Sequence, residues 1–384
     1  MSLSLRKNIT RKGCQVEKLH ILHTEASCGW DGQAIHIIME AEEMIKKGHK
    51  VTIMCPGISP LFVRAQKKNI NVVSAPITKK RWKGVRAIQH WLKHNNVDVI
   101  CTHSSQDSWQ VALAQFLSFR KRVPVVRNRH ISEPVSQGRL SKWLYTQASQ
   151  HIITSGEKMR YMLVHDNKYP EDQITSIPTG MDGNYFKPSK QKKSLRASLG
   201  LPQQKKIIGI VAMLRRSKGH LNLLEAFSKM NHEKTHLLIV GNGAMKEAIR
   251  EKIQSLKLES HVTMTGHVEQ PLPYFQCLDV FVLTPTCNEG FSQVITQAML
   301  CEVPVVSAAS GAIPESVIHQ KTGLLVNPTD PDEIRDACQT ILDNDILAKK
   351  LGKAGREHIL NINSLPHMVD KVEKIYKKVA QSLY

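Results

Sequence analysis

Residues 288–306 read NEGFSQVITQAMLCEVPVV, and they follow the apolar run DVFVLT at 279–284. The pattern predicts a strand, a turn, a helix and a second buried strand. Gly290 has no Cβ and lets the backbone approach a ligand closely. The first N–H groups of a helix have no partner inside the helix and favour an anion. This stretch therefore predicts an anion site in a turn between a strand and a helix.

The side chains of the same stretch suggest what surrounds the anion. One face of the predicted helix is apolar, formed by Val294, Ile295, Ala298 and Met299. Glu289, Gln293 and Gln297 follow each other at four-residue steps. Helical side chains lean toward the helix N-terminus, so we expect Gln297 to point back toward the anion. The pattern indicates a phosphate with a polyhydroxylic group on either side.

Short β-branched runs recur along the chain, separated by helix-length segments. The first set of runs lies at 19–23, 50–55, 70–75, 97–102, 123–127, 150–154 and 173–178. The second set lies at 206–212, 235–240, 261–265, 279–284, 303–307 and 322–326. Strands that alternate with helices predict parallel sheets covered on both faces. We therefore expect an α/β protein with two Rossmann-like, doubly wound domains.

The expected domain order follows from a polar, lysine-rich stretch between the two sets. The predicted segments are a basic tail at 1–16, a first domain at 17–186, a linker at 187–205, a second domain at 206–362 and a terminal helix at 363–384 that crosses back to the first domain. Ligands of such sheets bind outside the carboxyl ends of the strands. We expect the site in a central cleft between the domains.

Composition narrows the class of protein. The 384 residues are 41% hydrophobic, and no apolar run is long enough to predict a transmembrane helix. The basic N-terminus lacks the apolar segment of a secretory signal. The eight cysteines are scattered without a CxxC pair, which predicts neither a zinc site nor a disulfide framework. The expected location is the cytoplasm.

The net charge of +20 is concentrated in the first half, where residues 1–185 carry 27 Lys+Arg against 14 Asp+Glu. Clusters lie at 79–83 (KKRWK), at 120–122 (RKR), and at Arg127 and Arg129. Such surfaces attract anionic membranes or phosphorylated acceptors, and they also serve solubility. No nucleic-acid-binding motif accompanies the charge, so no nucleic-acid partner is expected.

A second segment with site chemistry is VAMLRRSKGH at 211–220. It takes a predicted strand into a turn that carries Arg215, Arg216 and Lys218 before a helix. Cations at a helix start oppose the helix dipole unless an anion lies there. A diphosphate suits the combination of a lysine point charge with arginine forks. We therefore predict a diphosphate contact here.

Weaker signals lie at other strand ends. Gly241 and Asn242 stand in a strand-to-helix turn, and Gly32 belongs to a glycine turn after the first strand. Either turn serves a phosphate contact or a tight bend equally well. His103 and His130 each follow a strand in the first half. Both are candidates for the cleft, although a single histidine is also common as a structural residue.

Taken in order, these segments resemble the retaining, nucleotide-sugar-dependent glycosyltransferases of family 4, which have the GT-B fold. The resemblance runs from about Lys18 to Lys378. Its motifs are GHKV, ITSIPTGMDGNYFKP, LLIVGNG, VTMTGHV, DVFVLTPTCNEGF and GLLVNP. It implies that the second domain holds the nucleotide and that the first holds the acceptor.

The resemblance also implies individual roles. Lys218, with Arg215 or Arg216, would neutralise the diphosphate, and Glu289 would bind hydroxyls of the transferred sugar. Gln297 would lie at the ribose, and His130 beside the donor sugar. Further substrate contacts would come from Gly32, His103, Gly241, Asn242, Gly290, Phe291 and Ser292, with His267 and Val268 at the base.

The chemistry implied is transfer with retention and without a metal or other cofactor. The expected donor is a nucleoside-diphosphate sugar, with UDP favoured, and the acceptor is a glycan or glycolipid. Together with the basic first half, this suggests a peripheral protein at the inner face of the cytoplasmic membrane, in lipopolysaccharide or surface-polysaccharide biosynthesis.

Three positions depart from the family pattern. Met213 stands where the family usually has arginine, Gln297 where it commonly has a second glutamate, and Asp31 where a glycine is common. The first two motivate an alternative hypothesis, a non-catalytic GT-B binding or scaffold protein. A third hypothesis keeps the fold and makes the enzyme a nucleotide-sugar epimerase. A dehydrogenase is disfavoured, because neither half has GxGxxG after its first strand.

Overall fold

The computed structural model describes residues 18–118, 122–130 and 134–382. Arg120 and Lys121 of the basic cluster at 120–122 lie outside the described residues, as do the residues at 1–16 assigned to a tail, which include one of the eight cysteines, Cys14. The chain divides into two compact units. The first unit comprises Met1–Asn128, Trp143–Ile152 and Val372–Tyr384, and the second comprises Arg129–Lys142 and Ile153–Lys371. Residues 129–142 and 153–186, which the sequence assigned to the first domain, group with the second unit here, and the boundaries at 17–186 and 206–362 stay a prediction.

The first set of predicted strands forms a seven-stranded sheet. Its strands are β1 (His20–Thr24), β2 (Lys50–Cys55), β3 (Asn71–Ser74), β4 (Val99–Thr102), β5 (Val125–Arg129), β6 (His151–Thr154) and β7 (Ile174–Ser176). Their order is β3-β2-β1-β4-β5-β6-β7. The pairings of β1 with β2 and β4 are parallel. β1 is an interior strand that pairs along both edges, and all five of its residues are buried.

The second set forms a six-stranded sheet in the second unit. Its strands are β8 (Lys206–Val211), β9 (Thr235–Val240), β10 (Val262–Gly266), β11 (Val280–Leu283), β12 (Val305–Ala308) and β13 (Leu324–Val326). Their order is β10-β9-β8-β11-β12-β13, with β8 parallel to both β9 and β11. The order reverses between β8 and β11. That reversal is the place where such sheets bind ligands.

Helices separate the strands. Up to the start of β8 they are α1 (Gly32–Lys46), α2 (Pro60–Lys67), α3 (Trp82–His94), α4 (Ser105–Phe116), α5 (Arg139–Thr146), α6 (Glu157–His165) and α7 (Lys192–Ser198). The later helices are α8 (His220–Ser228), α9 (Lys246–Ser255), α10 (Leu272–Cys277), α11 (Gln293–Leu300), α12 (Ile313–Ser316), α13 (Pro331–Leu342), α14 (Asp345–Asn363) and α15 (Leu365–Gln381). Short 3₁₀ turns lie at Glu171–Gln173 and Arg216–Lys218.

The predicted strands all appear, usually shifted by one or two residues. The run at 235–240 matches β9 without a shift, and all six of its residues are buried. Continuous apolar runs of this kind suit strands that are covered on both faces. The expected α/β architecture with two doubly wound parallel sheets is therefore confirmed.

The stretch predicted as a linker, 187–205, contains the helix α7. Arg196 of this helix is 6% exposed, and its guanidinium donates to the carbonyl of Cys277 at 2.8 Å and to the Asp279 carboxylate at 2.6 Å. Lys192 donates to the same carboxylate at 2.8 Å. This segment of the chain is therefore packed against the start of β11, which its lysine-rich composition did not indicate.

The described residues include seven cysteines, all of them free thiols. Burial raises the pKa of Cys338 and Cys301 to about 12, so both stay protonated. Across residues 18–118, 122–130 and 134–382, none of the helices combines the length and hydropathy needed to cross a bilayer.

Candidate active site

Loops at the carboxyl ends of β10, β9 and β8 lie side by side at one edge of the second sheet. The N–H of Gly241, after β9, donates to the carbonyl of Gly266 at 2.9 Å. The N–H of Leu214, after β8, donates to the carbonyl of Asn242 at 3.0 Å. These backbone bonds bring together three of the segments that the sequence singled out.

The loop after β8 also joins the loop after β11. The N–H of Thr286 donates to the carbonyl of Ser217 at 3.0 Å. Beside this bond, the Lys218 ammonium lies 2.6 Å and 2.7 Å from the two carboxylate oxygens of Glu289. Their side chains are only 20% and 16% exposed. The two residues of this edge for which the sequence predicted catalytic roles therefore form one ion pair, at the point where the strand order reverses.

Two glycines allow this arrangement. Gly219 follows Lys218 with φ +80°, and a Cβ there would lie 2.2 Å from the carbonyl oxygen of Thr284. Gly311 has φ +61°, and a Cβ there would lie 1.7 Å from the carbonyl oxygen of Glu289. Side chains other than hydrogen are excluded at both places. Sequence reasoning overlooked Gly311, although SGAIP directly after a buried strand is a turn signal.

The helix α11 begins after the turn that carries Glu289, as the sequence predicted. Its first residue is Gln293, with Ser292 as N-cap. The Glu289 carbonyl accepts the N–H of Ala312 at 2.9 Å, which ties this turn to the loop after β12.

The start of α11 keeps the predicted components together. Phe291 and Ser292 are 7% and 5% exposed, and Gly290 is half-buried beside Glu289. Gln297 lies on the second turn and is 7% exposed. The first N–H groups of a helix point out of its N-terminal end and favour an anion there. Among the described residues, this end thus offers N–H groups next to a lysine and a carboxylate.

The arginines of the turn after β8 are placed differently from Lys218. Arg215 and Arg216 are exposed, as is Met213, at 37%. His220 begins α8 and is 3% exposed. Burial and the charge of Lys218 lower the pKa of His220 to about 4, so this imidazole is neutral at physiological pH. Positive charge beside the Lys218–Glu289 pair therefore does not come from His220.

The segment predicted to meet the base follows β10. Gly266 ends that strand with φ +77°, and the space beside its Cα is open. His267 is exposed and Val268 half-buried. A backbone edge of this kind can offer N–H and C=O groups to a heterocycle.

A cavity of about 430 Å³ is lined by the loop after β11 and by the segments that follow β12 and β13. Its polar lining includes Asn288, Ser310 and Asn327, at the ends of the last three strands of the sheet. The Ser310 hydroxyl donates to the Cys287 carbonyl at 2.6 Å and so helps to fix this loop.

In the first unit, the glycine turn that contains Gly32 leads into α1. The Asp31 carboxylate is the N-cap, accepting from the N–H groups of Gln33 at 3.1 Å and Ala34 at 3.3 Å. The side chain that replaces the family's glycine therefore already satisfies two donors of this helix end. Nearby, burial and the Asp107 carboxylate raise the pKa of Glu25 to about 8.

The two predicted histidines have different surroundings. His103 follows β4 and is 3% exposed, with its Nε2 2.9 Å from Nδ1 of His23. A substrate contact by His103 would therefore require the surrounding chain to open. His130 follows β5, is half-buried, and belongs to the same unit as Lys218 and Glu289.

Sequence profiles of two protein families match this chain. The profile described as "Glycosyl transferases group 1" matches residues 191–358, and that described as "Glycosyltransferase Family 4" matches residues 30–184. A D-inositol 3-phosphate glycosyltransferase from Corynebacterium diphtheriae is 26% identical over 91% of this chain and 90% of its own length.

Solved structures agree on the fold. A glycosyltransferase from Rickettsia africae superposes with a TM-score of 0.84 at 23% identity, over 94% of this chain and 98% of its own. The Anabaena protein HepE, solved with UDP and glucose, gives 0.83 at 20% identity, over 93% and 99%. The GT-B fold and the two profiles, which together cover both halves, agree with the residues gathered at the site. The chain belongs to the group 1 glycosyltransferases of glycosyltransferase family 4.

Proposed function

We propose that this chain transfers a sugar from a nucleoside-diphosphate sugar, with UDP favoured, to a glycan or glycolipid acceptor. The observation that carries the proposal is the Lys218–Glu289 pair beside the start of α11. It combines a cation and N–H groups for a diphosphate with a carboxylate for sugar hydroxyls. The UDP in the HepE structure is consistent with this choice of donor.

The proposed donor contacts follow the edge of the second sheet. Lys218 and the exposed Arg215 and Arg216 neutralise the diphosphate, and Glu289 accepts hydrogen bonds from hydroxyls of the sugar. The distal phosphate meets the N–H groups of Gly290, Phe291 and Ser292, the ribose meets Gln297, and the base meets His267 and Val268. Gly241 and Asn242 complete this edge, because their turn is bonded to those after β8 and β10.

The remaining proposed contacts come from outside this edge. Gly32 binds a phosphate of the donor, and His130 lies beside the donor sugar. His103 is retained as a substrate contact that depends on opening of its buried surroundings. These three roles rest on the family resemblance.

The proposed reaction proceeds with retention and without a metal. The bond between the anomeric carbon and the phosphate oxygen breaks, negative charge grows on the diphosphate, and positive charge grows on the anomeric carbon. Lys218 and the N–H groups of Gly290, Phe291 and Ser292 stabilise the first charge more as it develops, which lowers the barrier. The acceptor hydroxyl bonds to the same face, and its proton passes to the departing phosphate oxygen.

The acceptor is proposed to be anionic or membrane-bound. At the start of α3, Lys79, Lys80, Arg81 and Lys83 are all exposed, and Trp82 is 63% exposed. Exposed cations around an indole suit an anionic membrane surface. The Corynebacterium relative carries a phosphorylated acceptor in its name. We therefore propose a peripheral, cytoplasmic enzyme of lipopolysaccharide or surface-polysaccharide assembly.

The decisive experiment is a panel of UDP-, GDP-, ADP- and TDP-sugars tested by thermal shift and by release of nucleoside diphosphate. A bound donor stabilises the folded chain by mass action, so at least one donor should raise the melting temperature. The anomeric configuration of the product, read by NMR, tests retention. Sedimentation with anionic and zwitterionic vesicles, for wild type and Trp82→Ala, tests membrane binding.

Two competing functions are separated by the same assays. Met213 and Gln297 favour a non-catalytic scaffold, which would show neither donor hydrolysis nor a loss of biological output in Lys218→Ala. An epimerase would convert the donor to a new sugar nucleotide without any acceptor. The proposed transferase requires acceptor-dependent turnover that Lys218→Ala and Glu289→Gln reduce.

A further inference from the structure

A buried group of metal-binding side chains lies in the first unit. One ligand atom from each of His23, Cys101 and His103 lies within 4.8 Å of the others. His23 and Cys101 are 0% exposed and His103 is 3% exposed. His23 lies on β1, Cys101 on β4, and His103 directly after β4, so two adjacent parallel strands hold all three.

The two histidines contact each other, and Cys101 contacts neighbouring side chains. His23 Nδ1 lies 2.9 Å from His103 Nε2, so a single proton joins the two imidazole nitrogens. Cys101 Sγ accepts the Asn128 amide at 3.0 Å and lies 3.0 Å from the Tyr376 hydroxyl oxygen, whose single proton is donated to Glu40. Two imidazole nitrogens and a sulfur are a ligand set that zinc prefers.

The Glu40 carboxylate lies next to the outer nitrogen of the His23 ring. Glu40 is 0% exposed, and its Oε1 lies 3.7 Å from His23 Nε2, on the ring side away from His103. Glu40 also accepts the Tyr376 hydroxyl at 2.6 Å. Within the described residues, the buried His23 Nε2 makes no hydrogen bond at this distance. A histidine that ligates a metal through one nitrogen commonly donates the other N–H to a carboxylate, and a small rotation of the ring achieves that here.

We propose that His23, Cys101 and His103 bind a zinc ion in the first unit, and that Glu40 orients the His23 ring. Sequence spacing did not predict this site, because its ligands come from two strands and contain no CxxC pair. The proposal goes beyond the transfer reaction, whose principal charged residues, Lys218 and Glu289, belong to the second unit. Of the three zinc ligands, only His103 is also proposed as a substrate contact.

Zinc binding requires small movements of the two imidazole rings and removal of the protons from the three ligand atoms. Two Zn–N bonds of about 2.0–2.1 Å in a tetrahedron need a nitrogen–nitrogen separation of roughly 3.3 Å, a few tenths more than observed. The proton between the imidazoles moves to the outer nitrogen of one ring, and the Cys101 thiol releases its proton to solvent. The thiolate and the Glu40 carboxylate then balance the two positive charges of zinc.

The test measures zinc directly on the full chain without an affinity tag. After chelator treatment, addition of ZnCl₂ and gel filtration, mass spectrometry of the metal should find about one zinc per chain. Zinc should also raise the melting temperature. Cys101→Ala and His23→Gln should lose both effects. Cys55→Ala is the matched control, because Cys55 is an equally buried thiol in the same sheet.

Cobalt provides a second measurement that needs no stable variant. The Co²⁺-loaded wild-type chain should show the near-ultraviolet absorbance of a thiolate–cobalt bond, and Cys55→Ala should retain it. Absence of this band together with absence of bound zinc in wild type overturns the proposal. Equal zinc content in wild type, Cys101→Ala and His23→Gln also overturns it, because the metal then binds elsewhere.

Discussion

Lys218 and Glu289 are 71 residues apart in the chain, yet the ammonium of one lies 2.6 Å and 2.7 Å from the two carboxylate oxygens of the other. Each side chain is at least four-fifths buried. The pair neutralises itself before any ligand arrives, so a diphosphate must compete with Glu289 for the lysine. Because of this competition, we expect removal of Glu289 and removal of Lys218 to change UDP binding in opposite directions.

The first prediction concerns removal of the competing charge. Glu289→Gln should strengthen UDP binding about three- to tenfold, because Lys218 becomes available to phosphate and a nearby negative charge is lost. The same change should lower donor turnover by about 100-fold, since the sugar loses a charge-assisted hydrogen bond. Calorimetry with UDP and release of UDP from the donor measure the two effects.

The matched partner of that variant is Lys218→Ala, which should weaken UDP binding and turnover together. Asp332→Asn is the control for surface charge. Asp332 pairs with Lys229 at 2.7 Å, but both side chains are about half exposed, and exposed pairs contribute little. Equal UDP affinity in wild type and Glu289→Gln would contradict the competition.

The second prediction concerns the backbone that holds Glu289. Gly311→Ala places a Cβ 1.7 Å from the Glu289 carbonyl oxygen and keeps a residue with φ +61°. The loop must move, and a displacement of about 1 Å at a reacting group can reduce turnover about 100-fold. Steady-state kinetics with the best donor from the panel measure the loss.

Gly200→Ala is the control for strain without displacement. Gly200 has a similar φ of +66°, but no atom lies within 4 Å of the position that a Cβ would take there. Its substitution should cost about 1 kcal/mol of unfolding free energy and leave turnover unchanged. If both variants lose turnover equally, strain and not the position of Glu289 is the cause.

Local sequence patterns were sufficient to predict the strands. They did not reveal features of the structure that depend on contacts between residues distant in the chain. Buried parallel strands are continuous apolar runs, so their positions can be read from composition. The turn before α11 is tied down by a hydrogen bond from the Ala312 N–H to the Glu289 carbonyl, and no local pattern encodes this contact.

Interactions between distant residues also explain why the sequence did not predict the burial of His103 in the first unit. His103 was predicted as a substrate contact because it follows a strand, and its position after β4 is as expected. Its burial depends on His23, 80 residues away, and Glu40 lies next to Tyr376, 336 residues away. Contacts of this range become visible only in the folded chain.

The third prediction concerns pH and His220. Burial and the charge of Lys218 lower the pKa of His220 from 6.5 to about 4. Between these values the unfolded chain binds a proton that the folded chain does not, so the unfolding free energy falls as pH decreases. The contribution is fully present above about pH 6.5, and on the order of 3 kcal/mol is lost by pH 4. Denaturant unfolding of wild type and His220→Gln across this range measures it.

His220→Gln removes the titrating imidazole and keeps a polar side chain of similar size. Its unfolding free energy should therefore fall less steeply than that of wild type between pH 6.5 and 4. Identical slopes in both proteins would show that His220 takes up its proton equally in the folded and unfolded chains.

The last prediction concerns Gln297, where the family commonly has a glutamate. Gln297 lies on the second turn of α11, is 7% exposed, and is proposed to face the ribose. A carboxylate accepts hydroxyl hydrogen bonds about twice as strongly as an amide oxygen, so Gln297→Glu should tighten donor binding up to about tenfold. Burial of the new charge opposes this gain in the free protein, which should melt at a lower temperature. Calorimetry with the UDP-sugar and with UDP lacking the ribose 2′-hydroxyl separates the two effects, because the gain should vanish with the deoxy nucleotide. Unchanged donor affinity and turnover in Gln297→Glu would remove this residue from the donor site.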